Sequence, residues 1–480
     1  MEFWENGVVR TVLLLAVLLA VAEIVRGLAE PLRRIGLPAS IIAGAIGLVV
    51  GPGLMGWLPM DGEVLKTGVY HALGIVFIAV SLQTPAEGAG GGGGKAMAFG
   101  ITVMAAVQTI VGLGIVLVLG TLAAQHMHPG MGLILPIGFE QGPGQALSLG
   151  AAWEKAGMTS GADVGLIVAA IGFVWSIAIG VPLVIWGRYR GLIGSSDAEN
   201  TAATTGPAEA EPALPAGSLE LLTRQIVIVG AVYALTLAAC SGLSVAFGGP
   251  APGFFAERVV VAEAAHSGGV PLWEEVWGFH FMIGALLAMG VRPLLGRLPG
   301  GTPVHDGLMS KLGSVTVDFA TVAALSAVQL SVLTDNWLPI LLVTSVGGGV
   351  TLVVIVWLSR RAYADAPFEH CVLWFGMATG TLPMGLALLR IVDPELKSPA
   401  PTSAVIGSAG AIIGVAPLLL GVHQIALAGW GENYPAAGWI TLAVTSIYLL
   451  VTLALWWKFG GLRAGLSPLA LWPQEAVADR

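Results

Sequence analysis

Charge is what this chain has least of. Lys, Arg, Asp and Glu make up 10% of its 480 residues, where soluble domains carry about 25%. That shortage excludes an ordinary water-facing surface. Cysteine is nearly absent: Cys240 and Cys371 are the only two, both in apolar segments, so no disulfide framework is expected. There is no Cys/His spacing for zinc and no G-x-S-x-G elbow. The run "GGGGGKA" is not a phosphate loop, because Ala89 stands at its first required glycine and Ala96 at its Ser/Thr. Without a nucleophile or metal constellation, neither an enzyme nor a resident cofactor is expected. The opening "MEFWENGVVR" has no basic n-region and no small-residue cleavage site, so the first apolar run is expected to remain as a span. The net charge of −8 sits mostly in loops, and no nucleic-acid partner is expected.

Apolar residues fill the space that charge leaves. They make up 56% of the chain, and the mean hydropathy is +0.85. Runs of roughly 20 apolar residues recur, the length that crosses a bilayer as helix. The fold class is therefore an all-α polytopic membrane protein. Spans are expected near 8–27, 37–57, 66–84, 96–125, 162–187, 219–247, 273–296, 312–334, 337–360, 399–422 and 438–457. Many of the 15 tryptophans fall near span ends, as interfacial anchors do.

Lys and Arg orient these spans. With the N-terminus outside, 16 of the 21 basic residues face the cytoplasm and four (Arg10, Lys66, Lys155, Arg258) face outward. The C-terminus then lies in the cytoplasm, and the plasma (inner) membrane is the expected location. Arg390 falls inside one of two odd segments, near 129–157 and 367–392, which are Gly-rich and interrupted by Pro. The charge bias holds only if each odd segment enters and leaves on the same side.

Residues 191–217 are small, polar and Pro-containing, which reads as a flexible cytoplasmic linker. It separates a first half, 1–190, from a second, 218–422, with five spans each; 423–480 adds an eleventh span and a tail. Five is odd, so the second half enters the membrane from the opposite side. The halves share features in the same order. "FIAVSLQ" ends at Gln83 and "AALSAVQ" at Gln329; "GFEQG" (138–142) answers "GMATG" (376–380); a late proline follows, Pro182 and Pro417. This pattern predicts an inverted-topology repeat.

Helix-breaking backbone inside a membrane must be buried in protein or line a wet cavity. Gly138, Gly142, Pro143 and Gly144 break the first odd segment, and Gly376, Gly380, Pro383 and Gly385 the second. Each is expected to form a re-entrant hairpin of two half-helices. The free N–H groups of such a tip suit a carboxylate, and its free carbonyls suit Na⁺. Hairpins entering from opposite sides bring their tips together near the midplane.

The segment "GFEQGPGQALSLGAAWEKAGMTSGADVGLIVAAIGFVWSIAIGVPLVIWGRYRG", with the later "GMATGTLPMGLALLRIVDPELKSP", resembles bacterial sodium/glutamate symporters of the glutamate:sodium symporter family, over about residues 66–420. The resemblance implies Na⁺-driven uptake of a small anionic solute, glutamate, by an elevator-type movement, and a homodimer in the bilayer. The family's first tip usually reads Gly-Gly-His-Gly-Thr-Gly. Here Gln141 replaces the histidine and Glu140 a glycine, which bears on the substrate more than on the fold.

Candidate substrate-binding residues are Gln141, Gly142, Gly144, Gln145, Thr379, Gly380, Thr381 and Arg390. Candidate cation ligands are Glu140, Asp163, Asp318 and Thr379. Intramembrane carboxylates are functional by default, so Glu140 is expected to hold a cation or proton, the other reading being a wet hairpin mouth. Arg390 is either a carboxylate clamp, or it snorkels to the cytoplasmic face or pairs with Asp393. Thr379 and Thr381 either ligate or satisfy broken backbone. Asp318 is a cation ligand or lies wet near a helix end; Asp163 is a Na⁺ ligand or a first-turn acid. The expected function is cation-coupled secondary transport of a carboxylate solute. The alternatives are a dicarboxylate or 2-hydroxycarboxylate carrier and, from another class, a channel or a non-transporting membrane scaffold.

Overall fold

The computed structural model describes residues 6–30, 37–84, 92–122, 127–192, 218–249, 272–297, 303–394, 396–431, 436–463 and 472. Nearly all of the 191–217 linker and of the 248–272 loop lies outside these residues. The regular elements described are all helices. In the first half they are α1 (Gly7–Leu28), α2 (Ala39–Val50), α3 (Gly62–Ser81), α4 (Gly92–Leu122), α5 (Gly130–Pro136), α6 (Pro143–Glu154), α7 (Gly161–Ala178) and α8 (Gly180–Tyr189). The second half holds α9 (Ser218–Ala246), α10 (Leu272–Gly278), α11 (His280–Leu295), α12 (Asp306–Ala327), α13 (Ser331–Ala362), α14 (Pro367–Leu389), α15 (Ala400–Pro417) and α16 (His423–Ala428), and α17 (Ala436–Phe459) follows. Among the described residues, ten helices are long and apolar enough to cross a membrane. The chain is an all-α, multi-pass membrane protein.

Nine of the eleven expected spans are among those ten, and the tenth is Pro367–Leu389, from the second odd segment. Two expected spans differ. The one near 37–57 stops as the 12-residue α2, because Pro52 follows its C-cap Gly51 and ends the helix. The one near 273–296 is split in two at Phe279 (φ −104°, ψ 18°). The glycine run before Lys95 is helical from Gly92, where α4 starts. A Cβ on Gly94 would stand 2.5 Å from Ile406 Cγ2, so these glycines let α4 and α15 approach closely.

The helices pack as two clusters. In one, α2 lies on α1 and α12, α3 on α12 and α11, and α11 on α9. In the other, α4 packs on α15, α17, α5 and α13, while α14 packs on α7 and α13. The main contacts between clusters run through α6 and α7, which touch α3, α10 and α12.

Both odd segments fold back on themselves. Pro136 ends α5, a π-helical turn follows over Ile137–Gln141, and Gly142 N–H closes it on the Ile137 carbonyl at 2.9 Å. Gly142 then takes φ 92°, ψ 179°, and Pro143 starts α6 at the helix position where proline costs nothing. The arms return side by side: a Cβ on Gly130 would lie 3.0 Å from Trp153 Cε3. In α14 the break falls at Gly380 and Thr381 (φ 70°, ψ 172°). A Cβ on Gly376 would lie 2.6 Å from Gly385 Cα, nine residues on, which a continuous helix would hold about 13.5 Å away. Protein encloses this second pair of arms: 78% of the apolar stretch of α14 is buried, against 22% for α1, α9 and α17.

Candidate functional site

The two tips meet. A Cβ on Gly142 would stand 2.5 Å from Thr381 Cγ2, so the threonine methyl lies over the glycine of the other hairpin. Gly172 of α7 packs against both, touching the Thr379 carbonyl and the Phe139 ring. Behind the second tip, Gln108 of α4 donates to the Ala378 carbonyl at 2.9 Å and to Thr351 Oγ1 of α13 at 3.0 Å. Ser176 Oγ of α7 is 2.7 Å from Thr379 Oγ1. These bonds satisfy polar groups that the helix break would otherwise leave bare in an apolar interior.

A cavity of about 1030 Å³ opens in front of the tips. Gln141, Gly144, Gln145 and Thr381 of the tips line it, and so does Asp318 of α12. It runs toward the helix ends that carry Arg26 and Arg390. Glu140 contributes to the wall, but neither of its carboxylate oxygens has exposed surface or a hydrogen-bond partner. Among the described residues, no hydrogen bond compensates its buried acid group. Gln145 is 3% exposed and makes no hydrogen bond among the described residues.

The expected site residues separate into two groups. The structure gathers Glu140, Gln141, Gly142, Gly144, Gln145, Gly380 and Thr381 at the tips, with Asp318 facing the same cavity. Thr379 is at the tip but turned away: it is fully buried and donates to the Phe375 carbonyl at 2.7 Å. Arg390 stands exposed at the cavity rim, after arm 382–389. It does not pair with Asp393, whose carboxylate instead accepts from Lys397 N and Ser398 N at 3.0 and 2.8 Å. Asp163 is at the opposite end of the molecule from the rim. Lys66 Nζ holds both its oxygens at 3.0 Å, and it does not line the cavity.

Several wall residues carried no mark in the sequence. Leu73, Phe77, Phe173, Phe281 and Met377 make the apolar sides of the cavity and look like ordinary core residues. Gln108 and Ser176 support the second tip; a lone amide inside a 31-residue apolar helix was the available signal for Gln108. Among the described residues, no three His, Cys, Asp or Glu side chains gather as a metal site. No family model matches the chain, and no curated protein matches it.

Proposed function

We propose that this protein is a secondary active transporter that couples movement of a carboxylate-bearing solute to a cation. The observation that carries the reading is the meeting of the two broken-helix tips at a cavity, with the carboxylate of Glu140 buried and without a hydrogen-bond partner beside them. A bare carboxylate is costly in a membrane interior. A proton or Na⁺ removes that cost, and it also removes the repulsion that would keep a solute carboxylate from the tip. Two like charges 4 Å apart repel by about 4 kcal/mol at an effective dielectric near 20, roughly a thousandfold in affinity. Solute and cation would therefore bind together, which is the requirement for symport.

The packing supports an inverted repeat. The contact of α1 with α2 answers that of α9 with α11, α2 with α12 answers α11 with α3, and α4 with α5 answers α13 with α14. The breaks answer each other in backbone as well, Gly142 and Thr381 sharing nearly the same dihedral angles. On this reading the hairpins are re-entrant from opposite faces. By the Lys/Arg bias the Arg390 end is cytoplasmic, so the cavity opens inward. The cluster that bears the hairpins slides against the other along α6 and α7, as an elevator does. The resemblance to sodium/glutamate symporters implies Na⁺ as coupling ion and glutamate as solute; the solute class is the part that the cavity's own lining narrows.

The test is uptake by the purified protein in liposomes, using labelled acids and amino acids with and without an inward Na⁺ gradient. Accumulation above equilibrium that collapses with the gradient is expected. Equal, gradient-independent equilibration would instead mark a channel or facilitator.

A further inference from the structure

Five charged side chains line the cavity: Glu23, Glu140, Asp318, Arg26 and Arg390. Arg26 is committed to Glu23 at 2.7 Å. Arg390 is exposed at the rim, and the arm 382–389 that leads to it is roughly 12 Å long. Between tip and rim the wall therefore offers two acids and no cation. Neutral polar groups gather at the tip instead. Gln145 is almost completely buried, has no hydrogen-bond partner, and lies on the wall. It sits in the first turn of α6, where the first intrahelical bond is Ala146 N–H to the Gly142 carbonyl at 3.1 Å. The N–H groups of Gly144 and Gln145 precede that bond and make none within the helix. Two backbone donors and one amide thus belong to residues that line the cavity at the tip, enough for one carboxylate. The flanks are Leu73, Phe77, Phe173, Phe281 and Met377. A second carboxylate on the solute would meet these rings or the acid of Asp318.

We infer that the solute carries a single carboxylate on an apolar body, with the carboxylate held by Gln145 and the first turn of α6. This rests on the transport reading and narrows its substrate class. A dicarboxylate finds one half of a site here. A monocarboxylate with a branched or aromatic body finds donors for its head and apolar surface for the rest.

Isothermal titration of the protein in lipid nanodiscs, in Na⁺ buffer, tests this with five probes: L-leucine, L-phenylalanine and 4-methylpentanoate against L-glutamate and succinate. At least one of the first three is expected to bind, with glutamate and succinate tenfold or more weaker. Gln145→Ala is expected to weaken the bound monocarboxylate at least tenfold, and Gln145→Glu, nearly isosteric and negative, to abolish its binding. The wild-type ranking stands by itself should either variant misfold. Glutamate or succinate binding as tightly as the monocarboxylates overturns the inference, as does a panel in which none binds. Gradient-driven glutamate accumulation in liposomes alongside either result leaves transport standing. No gradient-driven uptake of any acid removes the transport reading and this inference with it.

Discussion

Thr381 holds a conformation that a β-branched residue almost never adopts. At φ 70°, ψ 172° it lies in a region otherwise populated by glycine, at a cost of about 1–3 kcal/mol. The matching break in the first hairpin uses Gly142 at φ 92°, ψ 179°, which avoids that cost. A threonine persists where glycine would be cheaper, and its side chain faces the cavity and the opposite tip. Thr381→Gly is therefore expected to keep or raise the thermal midpoint while uptake falls tenfold or more. Wild-type uptake in that variant would show that the hydroxyl touches nothing that is carried. Gly142→Ala should do the reverse in stability and lose about 1–3 kcal/mol, because its Cβ would meet Thr381 Cγ2 at 2.5 Å; a falling denaturation midpoint checks this.

At the scale of elements, closure at one end of the molecule complements opening at the other. Lys66 begins α3 in one cluster, and Asp163 begins α7 in the other. Their ion pair, with Ser148 Oγ donating to the Gly278 carbonyl at 2.9 Å, joins the clusters on the side away from the cavity. On the transport reading proposed above, outward opening separates these partners. Lys66→Cys combined with Asp163→Cys, in a background with Cys240→Ala and Cys371→Ala, can be bridged by a short bifunctional thiosulfonate. Bridging is expected to stop uptake and reduction to restore it; full bridging with normal uptake would mean that α3 and α7 do not part. None of this was legible in the sequence. Lys66 and Asp163 are 97 residues apart, and Asp163 taken alone reads as a first-turn acid. The breaks in the two odd segments were legible, because Gly and Pro clustered in an apolar run disrupt helix there. The start of α4 was not, since a glycine run becomes helix only when a neighbour such as Ile406 fills the groove it leaves. The apolar cavity wall was hidden for a related reason: Phe77 and Phe281, with ring centroids 5.0 Å apart, come from different halves of the chain.

The whole molecule has an orientation that charge alone predicts. Trp57 and Tyr189 are both well exposed, at 72% and 88%, and the Lys/Arg bias puts them on opposite faces. In the same cysteine-free background, Trp57→Cys should react with an impermeant thiol reagent in intact cells and Tyr189→Cys should not. The opposite pattern would invert the molecule and turn the cavity outward.

The central claim is that Glu140 carries the coupling cation past a tip that also binds the solute. Liposome accumulation under an imposed Na⁺ or proton gradient, compared between wild type and Glu140→Gln for every acid in the uptake panel, tests it most directly. Gln keeps the shape and removes the charge, so the solute no longer needs a cation to bind. The account predicts that Glu140→Gln still exchanges solute across the membrane but no longer concentrates it, and that its dependence on Na⁺ or pH flattens. Gradient-driven accumulation in Glu140→Gln equal to wild type, with the same cation dependence, would contradict it.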